Sequence, residues 1–476
     1  MQMFLKKSAA ILSILAVSLY SLSCGSTDNT DTQTQTVTTD TPETVDFGGK
    51  EYRMLIRREF EYEFNSPEET GDVLNDALYD RNQTIEDTYN INIVTTAEPG
   101  DWDSQEEFMG KVRNTISAGD DAYDIIAGYA AMMPPLIPDG LYYNLNDLPH
   151  LDFGGEWWSR GLYDTFNIND RCYVMSGSIS LSLWENTWAL YYNKDVAEQF
   201  GITGIYDEVN SGTWTFDRMK EYCQLVTADI NGDSVSDQND RWGYVTDHAP
   251  EFDFFADIFD VDITSIGDNG LPTITVDNER NNDILVAVND FLFSGSYALP
   301  YDDEDDKAVL INMFKTGLTL FEPMTFGMST LLRGMESDFG IIPFPKYDEN
   351  QARYQTTSKD DYTMLAVPVT ITDLEFVGLI TEAMCKESHE SVIPVFYDTV
   401  LKTKNARDDE TAEMIDLIYS GLHYDFAYAN SISLDWSGHI FAHSIRDKKT
   451  NISTEYASKK DAMNEQLNAL LDIYLN

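Results

Sequence analysis

The feature that most restricts the fold is an alternation of short apolar runs with helix-period segments, beginning near residue 50. Glu51 to Ile56 reads as a strand, Leu74, Leu78, Ile85 and Tyr89 fall on one helical face, and Ile91 and Ile93 alternate with asparagines as a second strand. Ser104 and Glu107 have the spacing of a capping box. Phe108, Val112 and Ile116 then recur at helical intervals, and Gly119 stands where a helix ends. A third strand, Tyr123 to Ala127, runs into Gly128-Tyr129. Strand, helix, strand, helix, strand is the rhythm of a parallel, doubly wound sheet, because parallel neighbours need a crossover between them.

The rhythm returns in a second body. Trp188 to Tyr192 is an apolar strand; Phe216, Met219, Cys223 and Val226 mark a helix opened by Thr215; Leu318 to Phe321 and Phe339 to Ile342 read as later strands. Thr372 and Glu375 again have capping-box spacing, ahead of Phe376, Val377, Ile380 and Met384. A helical pattern from about Lys459 to Tyr474 closes the chain. The expectation is an α/β chain of two doubly wound lobes.

Composition narrows the function classes. With 31 basic against 82 acidic residues the net charge is −51, so no phosphate-neutralising surface can be assembled and nucleic acid is excluded as a partner. At 42% hydrophobic residues, 476 positions suffice for two well-filled cores. Beyond Cys24 the cysteines are Cys172, Cys223 and Cys385, without a CxxC pair; a disulfide between two of them is open, and three buried free thiols are the favoured reading.

The first residues carry an export signal: Lys6 and Lys7 precede an apolar run from Ile11 to Leu22 that is short for a membrane span. Ser21-Leu22-Ser23-Cys24 resembles the bacterial lipobox, whose cysteine takes a diacylglycerol. Ser21 stands where leucine is usual, so ordinary secretion is the alternative. The organisation expected is a signal peptide over 1–23 and a disordered linker over 24–46, rich in Ser, Thr, Asp, Gln and Asn. The folded body then follows as an N-lobe over 47–190, a C-lobe over 191–362, an N-lobe return over 363–405 and a C-lobe return over 406–476.

Several segments together resemble the carbohydrate-type (family 1) extracellular solute-binding proteins of bacterial ABC importers. They are Ile116-Ser117-Ala118-Gly119 leading to Tyr123-Asp124-Ile125-Ile126, Leu190-Tyr191-Tyr192-Asn193-Lys194-Asp195 closed by Phe200-Gly201-Ile202, Thr213-Trp214-Thr215-Phe216, and Phe339-Gly340-Ile341-Ile342-Pro343-Phe344-Pro345. The resemblance implies a periplasmic-binding-protein-like fold of type II, with two lobes joined by a multi-strand hinge that close on a solute. It implies lobe crossings near Leu190, Tyr362 to Pro368, and Lys402 to Arg407. It also implies a non-enzymatic monomer, lipid-anchored on the outer face of the cytoplasmic membrane, that hands a mono- or oligosaccharide to ABC permease subunits. A secreted enzyme acting on polysaccharide, or a receptor for peptides or metals, are the rival readings.

Sugars are held by aromatic faces and by carboxylate or amide hydrogen bonds. The leading candidates are Trp184 and Glu185 just before the hinge strand and Trp436 late in the chain; loops at the carboxyl ends of strands add Glu61 after the first strand, Tyr129 after the third and Asp360 before the second crossing. Trp157, Trp158 and Trp214 read as core. Separately, Asp229, Asn231, Asp233, Val235 (through its carbonyl), Asp237 and Asp240 fall at positions 1, 3, 5, 7, 9 and 12 of an EF-hand-like loop. Their expected cofactor is a structural Ca²⁺, with a solvated Asp/Asn turn as the alternative. His439 and His443, at i and i+4, read as a packed helix face rather than a metal pair.

Overall fold

The computed structural model describes residues 45–247, 252–301, 308–401 and 409–475. The signal segment, Cys24, most of the linker, and the Lys402 to Arg407 crossing lie outside the described residues. In chain order the strands are β1 (Lys50–Arg57), β2 (Ile91–Glu98), β3 (Ile125–Tyr129), β4 (Trp188–Asn193), β5 (Trp242–Asp247), β6 (Thr264–Ile266), β7 (Pro272–Ile274), β8 (Ala298–Tyr301), β9 (Thr319–Thr325), β10 (Phe339–Ile342) and β11 (Thr363–Ala366).

The first lobe is built on a sheet of order β11-β3-β1-β2. β1 pairs parallel with both β2 and β3, as the strand–helix rhythm requires, while β11 returns antiparallel beside β3. The sheet is therefore mixed. Its fourth strand arrives from the other lobe and is not part of a local crossover, so nothing constrains it to be parallel. That pairing also moves the third strand to Ile125–Tyr129, two residues past the expected start, because Tyr129 pairs with Thr363. Asp124 is spent otherwise, taking the Arg53 amide and guanidinium at 2.7 Å. Helix Leu374–Glu387 covers this sheet, with Phe376 edge-on to Tyr52 and the Thr381 hydroxyl 2.7 Å from the Tyr52 hydroxyl. Its cap is Asp373, which accepts the Phe376 amide; the Thr372 capping box is not formed.

The second lobe carries a sheet of order β10-β4-β9-β5-β8, with β4 antiparallel to both neighbours and β5 parallel to β8 and β9. β4 is buried along its whole length. Trp188, Leu190 and Tyr192 enter the main core of this lobe, and Ala189 and Tyr191 enter a second cluster under Phe396 and Ile415, so both faces of the strand are covered. Trp214, fully buried, donates its indole N–H to the Pro343 carbonyl, and Thr215 caps helix Phe216–Val226 as expected. Gly243 on β5 lets that helix sit close: a Cβ there would lie 2.1 Å from Cys223 Cα. Cys172, Cys223 and Cys385 are free and buried.

Three stretches of chain run side by side between the sheets. The Trp188 amide donates to the Thr357 carbonyl at 3.0 Å, the Lys359 amide to the Asn186 carbonyl at 2.9 Å, and the His423 amide to the Thr356 carbonyl at 2.8 Å. This narrow backbone-bonded band is the multi-strand hinge, and the chain is an α/β fold of two lobes. Among the described residues no helix is long and apolar enough to cross a membrane.

Candidate functional site

Loops at the carboxyl ends of β1, β2 and β3 form one wall of a cleft above the hinge. β1 leads into the 3-10 segment Arg58–Glu63, β2 into Gly100–Trp102, and β3 into Ala130 and Ala131. Two contacts hold the second loop. Glu59 accepts the Gly100 amide at 3.0 Å, and the Ser104 hydroxyl accepts the Asp101 amide while donating to the Asp101 carboxylate. Ser104 therefore does not cap the helix behind it through its side chain, as its sequence context predicts. Its hydroxyl ties a turn that presents Trp102, a large apolar side chain 43% exposed.

The opposite wall comes from the other lobe. Trp436 lies 5.7 Å from Trp102 between ring centroids, and Trp102 lies 6.3 Å from Tyr129. His439 sits 5.4 Å from the Trp436 ring and 4.9 Å from Tyr428, with its Nδ1 3.0 Å from Asp253. Asp435 and Trp436 both have left-handed backbone, φ 47° and 63°. That conformation costs a bulky residue about 1–2 kcal/mol and is held here by the Trp436 amide on the Ser431 carbonyl at 2.7 Å. Gly438 adds to this: a Cβ there would lie 2.2 Å from the Ala427 carbonyl oxygen, so the turn is pinned against its neighbour.

The floor is the hinge. Tyr129 donates its hydroxyl to Asp360 at 3.2 Å, Asn186 donates to Asp361 at 2.7 Å, and Lys359 pairs with Asp361 at 2.6 Å. Tyr62 reaches down from the first wall to donate to Glu185. Buried Arg57 lies 5.2 Å from the Tyr129 ring and 4.2 Å from Phe60, and donates to the Asp361 carbonyl and the Thr363 hydroxyl. Burial, reinforced by Asp361 and Asp253, pushes the Asp360 carboxyl up to about 6. Burial likewise pushes Glu185 up to about 7 against the Tyr62 hydrogen bond, with Glu63 adding to the rise. For His439, burial pulls downward but Asp253 and Asp360 prevail and hold it above the ordinary histidine range.

With the walls in contact, the space between Asp360, Tyr362, Tyr428 and Trp436 is a cavity of about 20 Å³, room for one water. Nothing larger than a water fits there with the walls in this arrangement.

Of the sequence candidates, Tyr129, Asp360 and Trp436 are brought together in this cleft, and Glu185 joins the same floor through its neighbour Asn186. Glu61, on the Arg58–Glu63 segment, accepts a bond from Asn65 and lines no part of that cavity. Trp184 is elsewhere: it packs on Tyr419 at 4.3 Å and Tyr397 at 5.7 Å and lines a second cavity of about 920 Å³, which shares Tyr424 with the cleft lining. Trp102, Asp253 and His439 belong to the cleft without having been singled out as ligand-binding residues. The rule that picked Tyr129, a ring just past a strand's carboxyl end, also picks Trp102. His439 stacks on His443 at 5.7 Å between ring centroids and turns its Nδ1 to Asp253, on an element 186 residues away.

The Asp229–Asp240 loop offers only oxygen donors, the right chemistry for a hard cation. Its side chains are engaged by the loop's own amides: Asp229 takes Gly232 and Ser234, Asn231 takes Asp233, Asp233 takes Val235, and Asp240 takes Ile230 and Asp237. Among the described residues no group of three or more His, Cys, Asp or Glu is gathered as a metal site, so Ca²⁺ would have to draw this loop tighter.

The architecture is thus two hinge-joined α/β lobes with an aromatic- and carboxylate-lined cleft. Comparison with solved structures gives the same fold. The galacto-N-biose/lacto-N-biose I-binding protein of the Bifidobacterium longum ABC transporter, in complex with lacto-N-biose, aligns over 90% of this chain and 99% of its own, with TM-score 0.57 and 11% identity. A cyclo/maltodextrin-binding protein complexed with maltotetraose aligns over 88% and 98%, with TM-score 0.56 and 12% identity. An ABC substrate-binding protein from Listeria monocytogenes in complex with cycloalternan aligns over 88% and 99%, with TM-score 0.53 and 13% identity. No protein-family model and no curated protein matches the sequence.

Proposed function

We propose that this chain is the solute-binding subunit of an ABC importer of the carbohydrate-type family, capturing a mono- or oligosaccharide between its lobes and delivering it to the permease as a monomer, without catalysis. The observation that carries the reading is the meeting of Trp102 and Trp436, one from each lobe, above the hinge carboxylate Asp360. Aromatic faces suit the C–H faces of a sugar ring, and carboxylates suit its hydroxyls. A solute placed between the two indoles replaces their mutual contact with its own, so closure and binding are one event. The sugars named for the three structural neighbours support the ligand class.

On the same reading a diacylglycerol on Cys24 tethers the body to the outer face of the cytoplasmic membrane, keeping it at high local concentration beside its permease. Cys24→Ala then releases the protein into the medium; retention of the variant on the membrane contradicts the anchor. Ca²⁺ bound by Asp229, Asn231, Asp233, Val235, Asp237 and Asp240 is the accompanying structural proposal, tested by melting in Ca²⁺ against chelator: a higher Tm with Ca²⁺ supports it, and identical curves sink it. For the solute itself, thermal shift against a panel of mono- and oligosaccharides, amino acids and peptides is the test, and silence of every sugar refutes the assignment.

A further inference from the structure

The charges at the cleft floor do not balance in place. Asp361 is neutralised by Lys359 at 2.6 Å, and Asp253 faces His439 at 3.0 Å. Arg57 spends its guanidinium on the Asp361 carbonyl and the Thr363 hydroxyl, and its charge acts chiefly on Glu63, which is itself held by the Ser182 amide and the Thr363 hydroxyl. Two carboxylates remain. Neither Asp360 nor Glu185 has a cation within 4 Å among the described residues; each accepts only a tyrosine hydroxyl, from Tyr129 and Tyr62 respectively, and the charges of His439 and Lys359 reach Asp360 only from farther off, against those of Asp361 and Asp253. They rise from adjacent hinge segments, cross-linked by the Lys359 amide on the Asn186 carbonyl and by the Asn186 side chain on Asp361. Above Asp360 stand the rings of Tyr129, Trp102, Trp436 and Tyr428.

An aromatic enclosure with a carboxylate that lacks a direct ion pair at its base is an arrangement that recognises an ammonium group: the ring faces attract the cation, and the carboxylate takes its N–H bonds. Neutral hydroxyls would satisfy the hydrogen bonding of Asp360 but leave its charge unpaired in a closing, drying cleft, where an unpaired charge is most costly. We infer that the carbohydrate this cleft selects is an amino sugar, or an oligosaccharide containing one, whose protonated amine seats on Asp360 with Glu185 as the second anionic position. The inference rests on the carbohydrate-receptor reading of the same cleft and narrows it to one substrate class.

The test uses sugar pairs that differ only at C2, measured by calorimetry on the whole folded chain: glucose against glucosamine, galactose against galactosamine, and cellobiose against the β-1,4 dimer of glucosamine. The expected result is at least tenfold tighter binding of the amine in one pair, an advantage that shrinks with added salt and is lost in Asp360→Asn, which weakens the amine at least tenfold more than its neutral partner. Glu185→Gln serves as the second variant, expected to weaken the amine-bearing dimer more than the monosaccharide. Unfolding curves of both variants establish that they are folded. Equal or weaker binding of every amine overturns the inference while a bound neutral sugar leaves the carbohydrate reading standing. Silence of all the pairs and of neutral maltodextrins overturns both.

Discussion

Asp360→Asn separates stability from binding, and the structure gives the size of the effect. In the folded chain burial pushes the Asp360 carboxyl up to about 6, against about 3.9 in an unfolded chain. Because the folded value is the higher one, the folded state holds its proton more firmly. The resulting stabilisation is fully present below pH 4 and is lost as pH rises through 6. Two pH units at about 1.4 kcal/mol each make roughly 3 kcal/mol, an upper figure because part of Asp360 faces cleft water. Asparagine carries no charge at any pH and keeps an oxygen for the Tyr129 hydroxyl, so the variant escapes this loss. Urea unfolding followed by tryptophan fluorescence at pH 4.5 and 7.5 reads the difference directly. The variant should gain as much as roughly 3 kcal/mol on the wild type at pH 7.5 and little at pH 4.5, while binding solute more weakly. A variant that is less stable at pH 7.5, or whose stability follows the same pH slope as the wild type, refutes the reading that a largely buried carboxylate without a direct ion pair is kept here for a ligand.

Trp436→Gly should be more stable than Trp436→Ala by about 1 kcal/mol in the same assay, because the position needs φ near 63°, and both should lose solute affinity by about tenfold or more. Gly378→Ala, a substitution that favours a helix elsewhere, should cost several kcal/mol in urea unfolding, since its Cβ would stand 1.9 Å from the Pro149 carbonyl oxygen; a neutral result would mean that the helix–loop contact is loose.

The parts of the fold that could be read from sequence are those fixed by local periodicity. β1, the helix Val73–Tyr89 and β2 carry their pattern within about 50 residues, and β4 announces itself as an apolar run because both its faces are covered. What stayed hidden was set by distant partners. The end of β3 is decided by β11, more than 200 residues on, and the place of His439 by Asp253. The Ser104–Glu107 spacing marked the helix start correctly, but the serine hydroxyl holds the turn that aims Trp102, a use that spacing does not reveal. Trp184 and Glu185 are adjacent in sequence yet part company in space, one against Tyr419 and the other under Tyr62. A short helix turns consecutive side chains about 100° apart, so a candidate placed by sequence can miss the cleft by a single residue.

The central claim is that solute is held between Trp102 and Trp436. Thermal shift of the wild type and of Trp102→Ala and Trp436→Ala, against one panel of neutral sugars, amino sugars, amino acids and peptides, tests it most directly. The account predicts that at least one sugar raises the wild-type Tm and that both substitutions remove most of that rise. A sugar that shifts all three proteins equally, or a panel in which only amino acids or peptides act, contradicts it.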